Sequence, residues 1–378
     1  MKIIYIENVR IPSERAHAYQ IVQTCAWFAR LGHEVTLVNP DRAGDRDVFD
    51  VYELERDLFR HVRLPVVDPL SWKWFPFKKI AYALQRFSFS LALKKWQVNQ
   101  TADVWYTRDP AMVDILKRSD RKFALELHDR PDAKPARWNR VKLFVQKFIV
   151  ITKGLSETLR QLDVHPAKIR VAPDGYDPKD FLYPADHAEE RRRLEIPDEA
   201  FVAIYTGSFY PWKGVDLVVG GWNRTSERAH LVLIGGPDAD RRRLESLIAP
   251  AAKNRVHILP TVDHTQAIRA LYGADIGLLT TSDAEPIGRL YTSPLKQFEY
   301  LAAGLPVLAS DVPSSHEVLT NDVAYFYPLT EDGFVNEINK VILNVDWRVQ
   351  ASERARRLVE PYTWEARSRT ILDHIASV

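Results

Sequence analysis

The chain has 378 residues, 46% of them hydrophobic and 27% charged, with a net charge of +2; that composition excludes a disordered chain and allows two domains of ordinary size. No apolar run approaches the ~20 residues of a spanning helix, and the opening "MKIIYIENVRIPSER" turns charged too early for a secretory leader, so a cytosolic protein is expected. Cys25 is the single cysteine, which excludes an internal disulfide and a thiolate metal cage; set among Ile21, Val22, Phe28 and Ala29 at helical spacing, it reads as core.

Short β-rich runs alternate with helical patterns along the chain. The first, "KIIYI", is followed by the loop "NVRIPSERAH" and a helix expected over 13–30, with Gly32 as its stop. In a doubly wound sheet the loop after the first strand opens on the binding crevice. Ser13, Arg15 and His17 are therefore candidate substrate contacts on the acceptor side. "HEVTLV" comes next, and then "SWKWFPFKKIAYALQRFSFSLALKKWQ" (71–97). Laid on a helix, that stretch forms one stripe of Ile80, Leu84, Phe87 and Leu91 and another of Tyr82, Phe89, Leu93 and Trp96. One stripe can face the sheet. The second, mixed with lysines, suits either an anionic membrane surface at the inner face of a membrane or an internal neighbour.

"DVWYT", "KFALEL", "FIVIT" and "IRVAP" complete the first half, and the turn formers of "APDGYDPKDF" place a break near residue 180. "FVAIYTG", "HLVLIGG", "RVHILP", "DIGLLTT", "PVLAS" and "VAYFYP" follow. Apolar runs of about five residues between helices mark parallel strands covered on both faces. The expectation is an α/β protein of two Rossmann-like domains, 1–180 and 181–361, with a C-terminal helix over about 362–378 packing back on the first. Residues 1–180 hold 31 basic and 23 acidic side chains and the remainder 21 and 27. This asymmetry points to an anionic partner for the first half, and no motif favours nucleic acid.

The stretch "YTSPLKQFEYLAAGLPVLASDVP" (291–313) reads as a helix capped by Ser293, with Pro294 at its first position and Gly304 and Pro306 closing it. Lys296 in its first turn opposes the helix dipole unless an anion sits there. A second loop of the same kind follows "FVAIYTG": Gly207, Ser208, then Lys213 and Gly214. Glycine lets backbone approach a ligand and lysine supplies compact positive charge, so the pair suits a diphosphate. Glu299, three residues beyond Lys296, can accept two hydrogen bonds from the vicinal hydroxyls of a ribose. The aspartates of "DAD" (238–240) open a helix, and His128 with Asp129 in "HDRPD" lacks a third ligand at recognisable spacing, so no metal is assigned.

In that order and spacing, "GSFYPWKGVDL", "IGGPDADRRRLESL", "LYGADIGLLTTS" and "SPLKQFEYLAAGLPVLASDVP" resemble the donor-binding domain of retaining family 4 glycosyltransferases of the GT-B fold. "GHEVTLV", "LELHD" and "VAPDGYDPKDF" resemble the family's second strand, histidine loop and interdomain hinge. The resemblance implies two Rossmann-like domains facing each other across a cleft. It implies transfer of a sugar, with retention and without metal or other cofactor, from a nucleoside-diphosphate sugar to a lipid-linked or growing saccharide; a UDP-sugar is favoured over GDP-mannose. Lys213 and Lys296 would hold the diphosphate, Gly207, Ser208, Ser293 and Leu295 would line the donor site, Glu299 would take the ribose, and His128 would face the donor sugar.

Three departures bear on the site. Ser208 stands where the family usually has an arginine, and Arg289 is the expected replacement. Tyr291 occupies the earlier of two positions, eight apart, that often carry glutamates, which makes it the candidate for that catalytic place, with Glu285 as the alternative source of a carboxylate. "PSERAH" replaces the usual Gly-Gly of the first loop. Two other readings stay open: a nucleotide-sugar epimerase using His128 and Asp129 as bases, and a non-catalytic homologue that binds nucleotide sugar or scaffolds a complex. Base recognition is expected largely from backbone around "HILPTV" (257–262).

Overall fold

The computed structural model describes residues 1–42, 44–72, 76–131, 135–182, 186–283 and 285–377; three residues of the 71–97 stretch, Lys73, Trp74 and Phe75, lie outside them. The chain forms two compact units, Met1–Pro173 with Trp364–Val378, and Asp174–Thr363. Residues 174–181 of the turn-rich stretch go with the second unit for a physical reason. The Asp174 N–H donates to Ser293 Oγ (3.2 Å), the Tyr176 N–H donates to the Tyr362 carbonyl (3.1 Å), and Tyr176 and Phe181 pack on that unit's core.

The first unit is built on a parallel sheet of β1 (Lys2–Ile6), β2 (Glu34–Pro40), β3 (Arg60–Leu64), β4 (Val104–Thr107), β5 (Phe123–Leu127), β6 (Val145–Val150) and β7 (Ile169–Val171). Its spatial order is β3-β2-β1-β4-β5-β6-β7, and Ile3 pairs with both Val35 and Val104. Helix Ala16–Arg30 lays Ile21, Val22, Cys25 and Phe28 on this sheet, and Gly32 at φ +86° lets the chain leave it. The helix starts at Ala16, later than the sequence suggests, because Ser13 is held outside it. The Ser13 N–H donates to Tyr52 Oη (3.0 Å), and that hydroxyl donates back to the Ser13 carbonyl (2.8 Å). β3, "RHVRL", carries no apolar run because three of its five residues are charged or polar; it is an edge strand, where such residues discourage further pairing. Ile371, Leu372 and Ile375 of helix Trp364–Ala376 join the same core.

Helix Lys78–Trp96 corrects the sequence reading. It turns Ala81, Gln85, Phe89 and Leu93 inward, so the stripe of Phe89 and Leu93 belongs to the core, and Ile80, Leu84, Phe87 and Leu91 are exposed. Among the described residues no helix is long and apolar enough to cross a membrane.

The second unit repeats the architecture with β8 (Phe201–Thr206), β9 (Ala229–Ile234), β10 (Val256–Leu259), β11 (Ile276–Leu279), β12 (Val307–Ser310) and β13 (Ala324–Tyr327), in the order β10-β9-β8-β11-β12-β13. These strands are fully apolar over most of their length and are covered on both faces by two clusters, one around Ile204, Phe298 and Val307, the other around Tyr205, Leu233 and Phe334.

Candidate functional site

In the second unit the strand order reverses between β8 and β11, so the loops leaving these strands part and open a crevice beyond their carboxyl ends. Each loop leads to a lysine. After β8 the chain turns at Gly207, whose φ of +126° is closed to ordinary side chains, and a Cβ built there lies 3.2 Å from Lys296 Nζ. The turn Pro211–Lys213 ends on Gly214 at φ +70°. Three contacts tie it to the loop after β11. Thr280 Oγ1 donates to the Lys213 carbonyl (2.6 Å), the Ser282 N–H donates to the Trp212 carbonyl (2.9 Å), and a Cβ on Gly214 would lie 3.0 Å from the Thr281 carbonyl oxygen. The backbone that carries Lys213 is thereby fixed.

Helix Leu295–Ala303 aims its N-terminus into the same hollow. Pro294 takes the N-cap and Lys296 the second position; Ser293, expected as the cap, is buried and spends its hydroxyl on the Asp174 N–H instead. The uncapped amides and the two lysines share the hollow with Thr280, Thr281, Gln297 and Ser314. Thr281 Oγ1 is buried without a hydrogen-bond partner.

The electrostatics of this hollow are unbalanced. Burial pushes the Lys213 ammonium down to about 8, and burial together with Lys213 pushes Lys296 well below the usual lysine range. Lys213 Nζ sits 3.9 Å from the centre of the Trp212 ring and Lys296 Nζ 3.3 Å from that of Tyr205, so aromatic faces partly replace water. The carboxylate that relieves Lys296 is Glu299, one turn further along its helix. Burial raises the Glu299 pKa and His264, 3.9 Å away, lowers it. His264 would be pushed down by its own burial, but its bond to Asp180 (3.1 Å) and the charge of Glu299 outweigh that and raise it. His264 thus stands between two carboxylates, Glu299 and Asp180, both of which favour its protonated form.

The other donor-side candidates divide. Tyr291 ends the short helix Pro286–Leu290 and is buried; Arg289 on that helix is exposed, and its carbonyl accepts the Ser314 N–H (3.1 Å). Ser208 is half-buried beside Gly207 and its carbonyl accepts from Tyr205 Oη (2.8 Å). Leu295 is the half-buried first residue of its helix. The aspartates of 238–240 lie in the first turn of helix Asp238–Glu245 without a side-chain cap, where Asp238 pairs with Arg241. Among the described residues no group of three metal-ligating side chains is found.

The first unit holds a second polar cluster at the carboxyl ends of β1, β4 and β5. His128 Nε2 meets Glu126 Oε1 at 2.5 Å, and Arg367 Nη2 donates to the same oxygen at 2.7 Å. Tyr106 donates its hydroxyl to the other Glu126 oxygen. Burial would raise the Glu126 pKa, but Arg367 and His128 outweigh it and hold it well below the usual range. Burial and Arg108 push His128 down to about 3 despite Glu126. A neutral ring beside an ionised carboxylate carries its proton on Nε2, which leaves Nδ1 as an acceptor. Beside it, burial lifts Glu7 to about 8, and Arg108 donates both to Gln20 Oε1 (3.1 Å) and to the His17 carbonyl (3.5 Å). His17 itself is pushed down to about 4 by burial and Arg108. Ser13 is buried and Arg15 is exposed at the helix N-cap, so of the three acceptor-side candidates only His17 joins this cluster. Sequence reasoning passed over Glu126, although two positions from His128 on a strand it shares that residue's face; Arg367, Asp180 and His264 left no local signal.

Known proteins resemble the chain in both halves. Residues 18–180 match the model of Glycosyltransferase Family 4, and residues 200–344 that of Glycosyl transferases group 1. A D-inositol 3-phosphate glycosyltransferase of Geodermatophilus obscurus is 25% identical over 69% of this chain and 60% of its own length. A lipopolysaccharide 1,2-N-acetylglucosaminetransferase of Salmonella typhimurium is 25% identical over 53% and 54%. The chain thus spans little more than half the length of these curated relatives. Among solved structures, sucrose-phosphate synthase of Thermosynechococcus elongatus shares the fold with a TM-score of 0.80 over 100% of this chain and 98% of that one, at 19% identity. Anabaena HepE in complex with UDP and glucose does so with a TM-score of 0.77 over 100% of both, at 15% identity.

Proposed function

We infer that the chain, matched in its two halves by two glycosyltransferase family models, belongs with the glycosyltransferases, and we propose that it moves a hexose from a UDP-sugar to a saccharide or lipid-linked acceptor in glycan biosynthesis, with retention and without a metal ion. The observation that carries this reading is the pair Lys213 and Lys296, desolvated together at the N-terminus of helix Leu295–Ala303. Two crowded cations at the positive end of a helix bind a diphosphate far better than a neutral ligand.

In this reading the bond between the anomeric carbon and the diphosphate oxygen breaks, its electron pair leaves with the UDP, and a bond to the acceptor oxygen forms on the same face as the acceptor hydroxyl gives its proton to the departing diphosphate oxygen. The charge that develops on the leaving diphosphate is where the lysines and helix amides act, so they stabilise the transition state more than the ground state. Glu299 accepts from the ribose hydroxyls. His128, through Nδ1, accepts from a donor-sugar hydroxyl. Support for UDP comes from the neighbour solved with UDP and glucose.

The test is to incubate the protein with UDP-sugars and excess chelator, without acceptor, and follow products by NMR. Slow release of the sugar as its original anomer, lost in Lys213→Ala, supports the proposal. An isomerised nucleotide sugar would indicate an epimerase, and UDP binding without turnover a non-catalytic protein.

A further inference from the structure

Helix Lys78–Trp96 carries two apolar stripes, and the sheet takes one. Ala81, Gln85, Phe89 and Leu93 recur every four residues along the buried side. Ile80, Leu84, Phe87 and Leu91 recur at helical spacing half a turn away, and they are 52%, 44%, 63% and 53% exposed. Val67, also exposed, lies beside this helix: its N–H donates to Ser88 Oγ (3.0 Å). Isolated exposed apolar residues are ordinary, but an aligned row on one face is not.

The charges around the row decide what covers it. At 100° per residue Lys94 and Lys95 lie on its two flanks and are exposed, and from Asp68 to Asp103 the sequence contains no acidic residue between. A second copy of this face would bring like charges together, which opposes a symmetric dimer. A central apolar line edged by lysines whose stems can lie along it is what an anionic bilayer surface accepts. We propose that the Lys78–Trp96 helix docks the first unit on an anionic lipid surface, with Ile80, Leu84, Phe87 and Leu91 entering the interface and Lys94 and Lys95 meeting headgroups. The proposal does not depend on the donor reading, because none of these side chains lines the lysine hollow.

The test is flotation of the full chain with vesicles of phosphatidylcholine alone and of phosphatidylcholine with phosphatidylglycerol. Binding is expected to the mixed vesicles and to fall as salt rises. Phe87→Ser with Leu91→Ser should weaken it at least tenfold with an unchanged melting temperature, since both side chains are exposed. Lys94→Glu with Lys95→Glu should weaken it more than tenfold, from about fivefold for each positive charge lost near the surface. Equal binding by wild type and both variants, absence of binding to either vesicle, or sedimentation as a dimer that Phe87→Ser with Leu91→Ser dissolves would each overturn the proposal.

Discussion

The two polar clusters manage buried charge in opposite ways. Around His128, Arg367 meets Glu126 with both side chains almost fully buried, and His128 and Tyr106 fill the remaining positions of that carboxylate. Around Lys296, two ammonium groups crowd together, and their relief is aromatic faces and a glutamate one turn away. The first cluster is complete in itself and gives structure; what it offers a ligand is a neutral hydrogen-bonding ring. The second carries positive charge that nothing in the free protein balances in full, and that charge is what the proposed diphosphate would offset.

The sharpest way to break this comparison is to remove one partner from each cluster and read stability and affinity separately. Arg367→Ala leaves Glu126 buried without its cation, and it should destabilise the protein by about 3–5 kcal/mol in urea unfolding. The Glu126 pKa is depressed in the folded state, so its contribution is present above about pH 4.5 and is lost as pH falls through the lower folded value; the variant should show a flatter stability profile in acid. Lys296→Ala should behave oppositely. UDP affinity should fall about 100-fold, in keeping with the ~1.5–3 kcal/mol of a charged hydrogen bond, while the melting temperature stays level or rises because a desolvated cation has gone. A melting temperature that drops as far as that of Arg367→Ala would erase the distinction.

Titration sharpens it further. The free Lys213 ammonium is held near 8, and a bound diphosphate raises it. UDP affinity should therefore fall above about pH 8 by up to about tenfold per pH unit for this group, and Lys213→Met should make that slope shallower in a calorimetric pH series, leaving the part that belongs to Lys296. The smallest effect is expected at Asp180→Asn, which loosens His264 and through it Glu299. UDP should bind severalfold more weakly, whereas inorganic pyrophosphate, which has no ribose, should bind as before.

Much of this was legible in the sequence where one physical signal dominated. The central strands announce themselves as apolar runs because both faces are covered, while β3 hides because its edge position tolerates arginine and histidine. The lysine loops could be read because a cation at a helix N-terminus is locally unfavourable, which demands an explanation. The inward face of helix Lys78–Trp96 is hidden from the sequence for the converse reason. The side toward the sheet includes Gln85, which is satisfied by Asn8 Oδ1 at 2.8 Å, and the small Ala81, so the more apolar side is the one left outside. Arg367 reaches Glu126 from 241 residues away, a distance over which no spacing rule operates; only the folded sheet brings them together.

The central claim is that Lys213 and Lys296 form a diphosphate site that works without metal. Calorimetric titration of UDP in excess chelator, into the wild type and into Lys213→Ala with Lys296→Ala, tests it most directly. Binding by the wild type and none by the double variant is the predicted result. Binding that vanishes with chelator, or that survives the loss of both lysines, would contradict the account.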